Sequence, residues 1–554
     1  MPRTIAVTFA VAAGLVLASH AQPRPSIADI KTTPESTGFK STSTYDDVVK
    51  FMTAVNEASP NIFYTTYGTT FEGRAMPMAV VGTGLKGTSA AAVKATGKLR
   101  VHIQGNIHAG EVEGKEAALM LLRDFASGKH ADWLQSTVLL ITPIFNADGN
   151  EKFSLTNRRG QNGPINGMGT RPNAQGLNLN RDFMKMDTPE AKAFVKLWVD
   201  YDPQVGFDLH TSDGSYHAYY LTYSPPLNPN TSDTIMAMMK EEWFPFVTKT
   251  IKAKHGWDTF YYGNAGVPGG RGGRGRGAPP AAGAAPPAAP TAPAAPQTPP
   301  VRAWSTFEHV PRFHNNYVGL RNRFALLSEA YSYATFEDRI RATSYFLEEA
   351  LTFAHQNAAR LKQAVAAADR QRITGTPQAT SAKMKRGGMV EILMGEVEPE
   401  TNPNNGAVMN RRKDVVHPEQ MIDMMWFEPV ATEIVPQEYY VPEDAAKALE
   451  LLRAHGIEMR QLRQPVKGLE QFTIAANNAG QNSEGHATRR LEGEWDAAPD
   501  ASAPRGAFAV PMTQPLARLA FYLLEPMSDD GLVNWNALDE QLKEAKTYPI
   551  LRKK

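Results

Sequence analysis

Residues Leu99–Phe125 read LRVHIQGNIHAGEVEGKEAALMLLRDF. The pattern predicts a short strand over Val101–Gly105, a Gly-Asn turn and then a helix. His108 and Glu111 stand at the turn, spaced His-x-x-Glu. Open α/β sheets place ligands beyond the C-terminal ends of their strands, which is where this pair falls. We read it as two zinc ligands. The spacing alone is weak, because His455 and Glu458 repeat it at the end of a helical stretch. There the plainer reading is a histidine complementing a helix dipole.

Around this unit the chain alternates strand and helix patterns. Tyr45 to about Ala58 is amphipathic, with Val48, Val49, Phe51, Met52 and Val55 at helical spacing. Phe63–Tyr67 and Pro77–Gly82 read as strands joined through Glu72-Gly73-Arg74. Val138–Phe145 is a nearly unbroken apolar run, as a strand buried on both faces requires. Thr188–Tyr201, Ile235–Lys254 and Glu337–Ala367 read as helices. Val205–Leu209 is a short strand ending at His210, and Phe324–Leu327 is another ending near Glu329. The expected fold class is α/β, with a mixed, mostly parallel sheet flanked by helices.

The chain has no cysteine. That excludes a thiol nucleophile and thiolate metal ligands, so a zinc site must use histidines and carboxylates. A catalytic zinc takes three protein ligands and keeps one position open. His210, in FDLHTSDG, is the natural third ligand, although a lone loop histidine is the plainer alternative. Zinc lowers the pKa of a bound water to about 7, and a nearby carboxylate can take its proton. Glu329, delivered to the same sheet edge by the apolar run in RFALLSEAYSY, is placed for that. Its plainer reading is a surface ion pair. Two arginine clusters, Asn157-Arg158-Arg159 and Asn178-Leu179-Asn180-Arg181-Asp182, offer bidentate carboxylate recognition or simple salt bridges.

Taken together, these motifs resemble the zinc carboxypeptidases of the carboxypeptidase A and T type, peptidase family M14, over about residues 40–360. GTTFEGRAMPMAVVG is similar to the family's early strand pair around a Gly-Arg turn, and FNADGNEKF to its Asn-x-Asp-Gly stretch. The resemblance implies zinc, one per chain, on His108, Glu111 and His210, with Glu329 as general base. It implies Asn180 and Arg181 as grips for the substrate's terminal carboxylate. It implies an arginine for the oxyanion, best matched by Arg158, with Arg159 the rival. The sequence departs from the family pattern at three points. Asn178 stands where many members have an aspartate that orients the first zinc histidine. Tyr317 is only a loose match to the family's mobile tyrosine. A low-complexity insertion lies between His210 and Glu329, where the family builds its specificity pocket.

The expected activity is therefore that of a metallocarboxypeptidase acting on a peptide or protein with a free C-terminus. A zinc deacylase acting on N-acyl amino acids is the alternative, since its substrate also carries a carboxylate. A non-catalytic secreted peptide- or glycan-binding protein is the alternative of another class.

Over 554 residues the net formal charge is +1 with the signs interspersed, which points away from nucleic acid. Residues 1–21 have the basic start, apolar run and small-residue end of a cleaved signal peptide. That predicts an exported protein, periplasmic or extracellular, with no stable membrane span after cleavage. A catalytic domain is expected over 22–375, interrupted by a disordered Gly/Arg/Ala/Pro-rich insertion over 266–300. A second, mixed α/β or β-rich accessory domain is expected over 380–554. Nothing in the sequence sets an oligomeric state.

Overall fold

The computed structural model describes residues 26–267 and 301–554. The expected signal peptide and nearly all of the expected insertion lie outside the described residues. The helix expected from Tyr45 forms as α1 (Tyr45–Ala58). Thr44 caps it, accepting from the Asp47 N–H while Asp47 reaches back to the Thr44 N–H. Val48, Phe51, Met52 and Val55 are its buried stripe.

The main sheet has eight strands: β1 (Ile62–Thr69), β2 (Ala75–Val81), β3 (Leu99–Gly105), β4 (Thr137–Thr142), β5 (Val205–Ser212), β6 (Leu221–Ser224), β7 (Thr259–Tyr261) and β8 (Phe324–Tyr331). Their spatial order is β1-β2-β4-β3-β5-β8-β6-β7. The four central strands, β4, β3, β5 and β8, run parallel, and the β1/β2, β2/β4 and β8/β6 pairs are antiparallel. The crossovers include α2 (Glu113–Ala126) and α3 (Pro189–Tyr201). The helix expected over Glu337–Ala367 is two, α4 (Phe336–Gln356) and α5 (Ala358–Arg370), broken at Asn357.

Every residue of β4 is buried, because both faces of the sheet are covered. Leu139 and Ile141 face one apolar cluster, with α1, α2, α4 and α5. Val138 and Leu140 face another, with Phe194, Leu197 and Trp198 of α3. That second cluster continues into the C-terminal region through Tyr439, Leu449, Phe521 and Trp535. The region expected as a separate accessory domain thus shares a core with the sheet. At its centre is a six-stranded antiparallel sheet that includes β9 (Glu438–Val441), β10 (Val466–Ser483), β11 (His486–Ala503), β12 (Phe508–Pro511) and β13 (Leu551–Lys553), with the short strand Arg460–Gln461 at one edge.

Asn264–Gly266 and Ala303–Ser305 pair antiparallel on either side of the insertion. The described residues on the two sides of the insertion therefore lie next to each other. Among the described residues no helix is long and apolar enough to cross a membrane.

Candidate metal centre and active site

Parallel pairing brings the C-terminal ends of β3, β5 and β8 to one edge of the sheet. The β8/β5 register sets Glu329 beside His210. The β3/β5 register sets Gly105 beside Leu209, so the loop after β3 meets His210 from the other side. Close packing holds this junction. A Cβ on Gly114 would lie 2.5 Å from Leu209 Cβ, and one on Gly110 would lie 2.6 Å from Arg158 Cγ.

His108, Glu111 and His210 are all buried, and each offers a ligand atom within 4.8 Å of the others. His108 Nδ1 is 3.0 Å from Glu111 Oε1, and His210 Nδ1 is 2.8 Å from Glu111 Oε2. The far nitrogens are also engaged. His108 Nε2 lies 3.1 Å from Asn178 Oδ1, and His210 Nε2 lies 2.8 Å from Asp208 Oδ2. An acceptor oxygen at each Nε2 places a ring proton there and directs the Nδ1 lone pair toward Glu111.

Two imidazole nitrogens and a carboxylate aimed at one point form a set that attracts positive charge. Burial works against charge at His210, but Asp208 and Glu111 outweigh it and hold the ring well above its ordinary pKa. Burial likewise opposes ionisation of Glu111, and His108 and Arg158 hold it well below the usual carboxylate range. The donor set and its fixed tautomers fit zinc with one position left open.

Among the described residues Glu329 has no such partner. Burial pushes its carboxyl pKa up, and the charges of Glu111 and Asp213 add to that while His210 opposes it. A bound cation would draw it back down. Arg158 lies inside the site: Nη1 donates to Glu111 Oε1 at 3.1 Å, Nη2 to the Thr211 carbonyl at 3.1 Å and Nε to Gln161 at 3.1 Å. Arg158 and Arg159 both line a neighbouring groove with Leu155, Asn402 and Met409. Arg171, which the sequence reading did not single out, reaches to 3.2 Å from His108 Nδ1 and 3.4 Å from Glu111 Oε1.

Asn178–Arg181 form a tight turn beside this centre. Asn178 Oδ1 also accepts the Asn180 N–H at 3.0 Å. The Asn180 amide is turned inward, with Oδ1 taking the His314 N–H at 2.9 Å and Nδ2 at 3.3 Å from His210 Nε2. The Arg181 guanidinium lies 3.7 Å from the centre of the Phe313 ring and donates to the Asn180 carbonyl at 2.6 Å. Among the described residues no carboxylate pairs with it. Burial and the charges of Arg171 and Arg312 weigh against its ionised form, while the charges of Glu308 and Glu484 favour it.

One loose match falls away and one expectation is corrected. Tyr317 is fully buried and its hydroxyl is 2.9 Å from His455 Nδ1, so it stands away from the metal site. His455 is not a charged dipole partner. It is buried with its pKa pushed down to about 3, and Nε2 donates to the Met184 carbonyl. The tyrosine near the general-base candidate is Tyr262, whose phenol is raised by burial and by the nearby charges of Glu329 and Asp213. The two early motifs do meet, since Arg74 Nη1 is 2.8 Å from Asp148 Oδ1 and Thr70 donates to the same oxygen at 2.7 Å.

Comparison with known proteins agrees with this geometry. Residues 48–240 match the family model described as zinc carboxypeptidase, Peptidase M14. Carboxypeptidase 2 of Trichophyton rubrum and that of Trichophyton tonsurans are each 28% identical over 115 residues, 20% of this chain and 18% of theirs. The chain thus spans about a fifth of the length of these curated relatives. Among solved structures it is similar to a metallo-carboxypeptidase from Burkholderia cenocepacia, at 17% identity and TM-score 0.38 over 57% of this chain and 70% of that one. It is also similar to the carboxypeptidase A from Helicoverpa armigera, at 14% identity and TM-score 0.39 over 60% and 76%. Structural likenesses of that size carry no weight for function. The family match and the His-Glu-His centre fall together: His108, Glu111 and His210 all lie within the 48–240 span that matches the zinc carboxypeptidase model of the M14 peptidase family.

Proposed function

We propose that the protein is an exported zinc-dependent carboxypeptidase that hydrolyses the last peptide bond of a substrate with a free C-terminus. The observation that carries this reading is the pairing of a His108–Glu111–His210 centre with an adjacent arginine, Arg181, that has no acidic partner among the described residues. One zinc per chain would be held by those three side chains, supplying Lewis acidity to the scissile carbonyl and acidifying a water. Arg181 holds the terminal carboxylate in a bidentate grip and sets the register of the chain being cut. Asn180 shapes the turn that presents it. Glu329 takes a proton from the attacking water and returns it to the leaving amine. Arg158 directs its guanidinium to where negative charge develops on the carbonyl oxygen.

Mass spectrometry of the products from a mixed peptide library, with and without a chelator, tests this. Stepwise loss of C-terminal residues that stops with the chelator is the expected result. Cleavage of N-acyl amino acids with peptides left intact would favour the deacylase, and no hydrolysis at all would favour a binding protein.

A further inference from the structure

The β10–β11 hairpin is the longest strand pair of the C-terminal region, 18 residues in each arm. Along its arms Leu469, Phe472 and Leu491 pack into apolar clusters. Its tip does something else. Ser483 pairs with His486, leaving Glu484-Gly485 as a two-residue turn with φ of +48° and +81°. Such turns favour Asn, Asp or Gly at the first position, where a side chain is least strained. A glutamate there is a poor choice for the turn alone, and an outlier of this kind points to a role outside it.

Glu484 Oε2 accepts the backbone N–H of Asn178 at 2.9 Å. Asn178 is the residue whose side chain faces Nε2 of the metal ligand His108 and whose turn leads to Arg181. Two residues further along the hairpin, His486 Nε2 lies 2.7 Å from Asp187 Oδ2. The tip therefore braces the Asn178–Asp187 segment at both ends. A second C-terminal carboxylate supports the opposite wall. Asp530 accepts the Arg312 N–H at 2.6 Å and pairs with its Nε at 3.0 Å, next to the Phe313 ring that lies against Arg181.

We propose that the hairpin tip is a working part of the substrate site, with Glu484 as a positioning residue that holds the Asn178–Arg181 turn and, through it, both His108 and the carboxylate anchor. The inference rests on the carboxypeptidase reading for its substrate half and on the metal centre alone for the other half. The hydrogen bond needs an acceptor oxygen, not a charge, so glutamine can replace glutamate and alanine cannot.

The test compares Glu484→Ala and Glu484→Gln in the full chain. Three quantities are read: KM and kcat on a peptide with a free C-terminus, the rate of zinc loss to a chelator, and Tm. Glu484→Ala is expected to raise KM about tenfold with a smaller change in kcat, and to speed zinc loss about tenfold, the lower end of effects from residues that orient metal ligands. Glu484→Gln is expected to restore both to within about twofold of wild type. The proposal is overturned if Glu484→Ala changes neither KM nor zinc loss, if it lowers Tm alone, or if Glu484→Gln behaves like Glu484→Ala. A wild-type protein that cleaves no such peptide would refute the carboxypeptidase reading, while zinc loss would still decide the role of Glu484.

Discussion

Asp208 Oδ2 lies 2.8 Å from Nε2 of His210, while the corresponding partner of His108 is an amide oxygen, that of Asn178. Among the described residues, the carboxylate thus stands behind the third candidate ligand and not behind the first. Gln104 donates to the other Asp208 oxygen at 3.2 Å and helps fix it. A carboxylate in this position sets the tautomer and raises the basicity of the imidazole. Asp208→Asn is therefore expected to weaken zinc binding by about 10–100-fold with the fold intact. Chelator competition followed by far-UV circular dichroism checks this, and equal affinity in the two proteins would remove Asp208 from the metal site.

Glu329 lies beside His210 in the β8/β5 register yet is not one of the three ligands, so removing its charge should spare the metal. Glu329→Gln is expected to keep its zinc and to lose about 10²–10⁴-fold in kcat. Metal content by elemental analysis, set beside turnover on the same preparation, separates the two effects. Full activity in this variant would require another base.

Arg181 should act through substrate binding. Charge-assisted hydrogen bonds are worth about 1.5–3 kcal/mol each, so Arg181→Ala is expected to raise KM about 10–100-fold for peptides with free C-termini. Arg181→Lys should recover only part of this, because an ammonium cannot form the bidentate fork. Wild-type protein should act poorly on amidated peptides. Equal rates on amidated and free peptides would place the anchor elsewhere.

Glu525 links the C-terminal core to pH. It is buried and receives hydrogen bonds from Tyr439 and from Trp495 Nε1 at 3.1 Å, with Arg552 Nη1 at 3.3 Å. Burial pushes its carboxyl from 4.5 up to about 7, against the pull of Arg552. Between those values the folded chain keeps a proton that the unfolded chain has released, so stability falls as pH rises. The slope is about 1.4 kcal/mol per pH unit, or about 3 kcal/mol across the window. Glu525→Gln abolishes this titration. Urea denaturation of both proteins at pH 4.5 and 7 should show the wild type losing that much relative to the variant, and parallel pH profiles would refute it.

Local pattern carried much of this structure. The strand, turn and helix of Leu99–Phe125 were legible because their periodicity and turn residues lie within a few positions of one another. His210 and Glu329 were legible because each follows a buried run, although their strands continue past them to Ser212 and Tyr331. Asp208 was missed. It stands two residues before His210, and period two puts both side chains on one face, so the signal was present in FDLH. Tyr317, only a loose match by spacing, packs with His455, because spacing along the chain does not report which cluster a side chain enters. Glu484 left no local signal, since its partner is 306 positions away. The apolar stripe of α3 was visible, but not that Tyr439 and Phe521 would share its cluster.

That separation has a temporal side. Translation at roughly 5–20 residues per second puts about 15–60 s between the synthesis of Asn178 and that of Glu484. Once His210 has been made, the three candidate ligands exist for the rest of that interval while the brace on the Asn178 turn does not. A nascent chain can thus present the ligands before it can hold them in order. The C-terminal region has to emerge before Glu484 can take the Asn178 N–H, so the turn that carries Arg181 is among the last parts of the first half to be fixed.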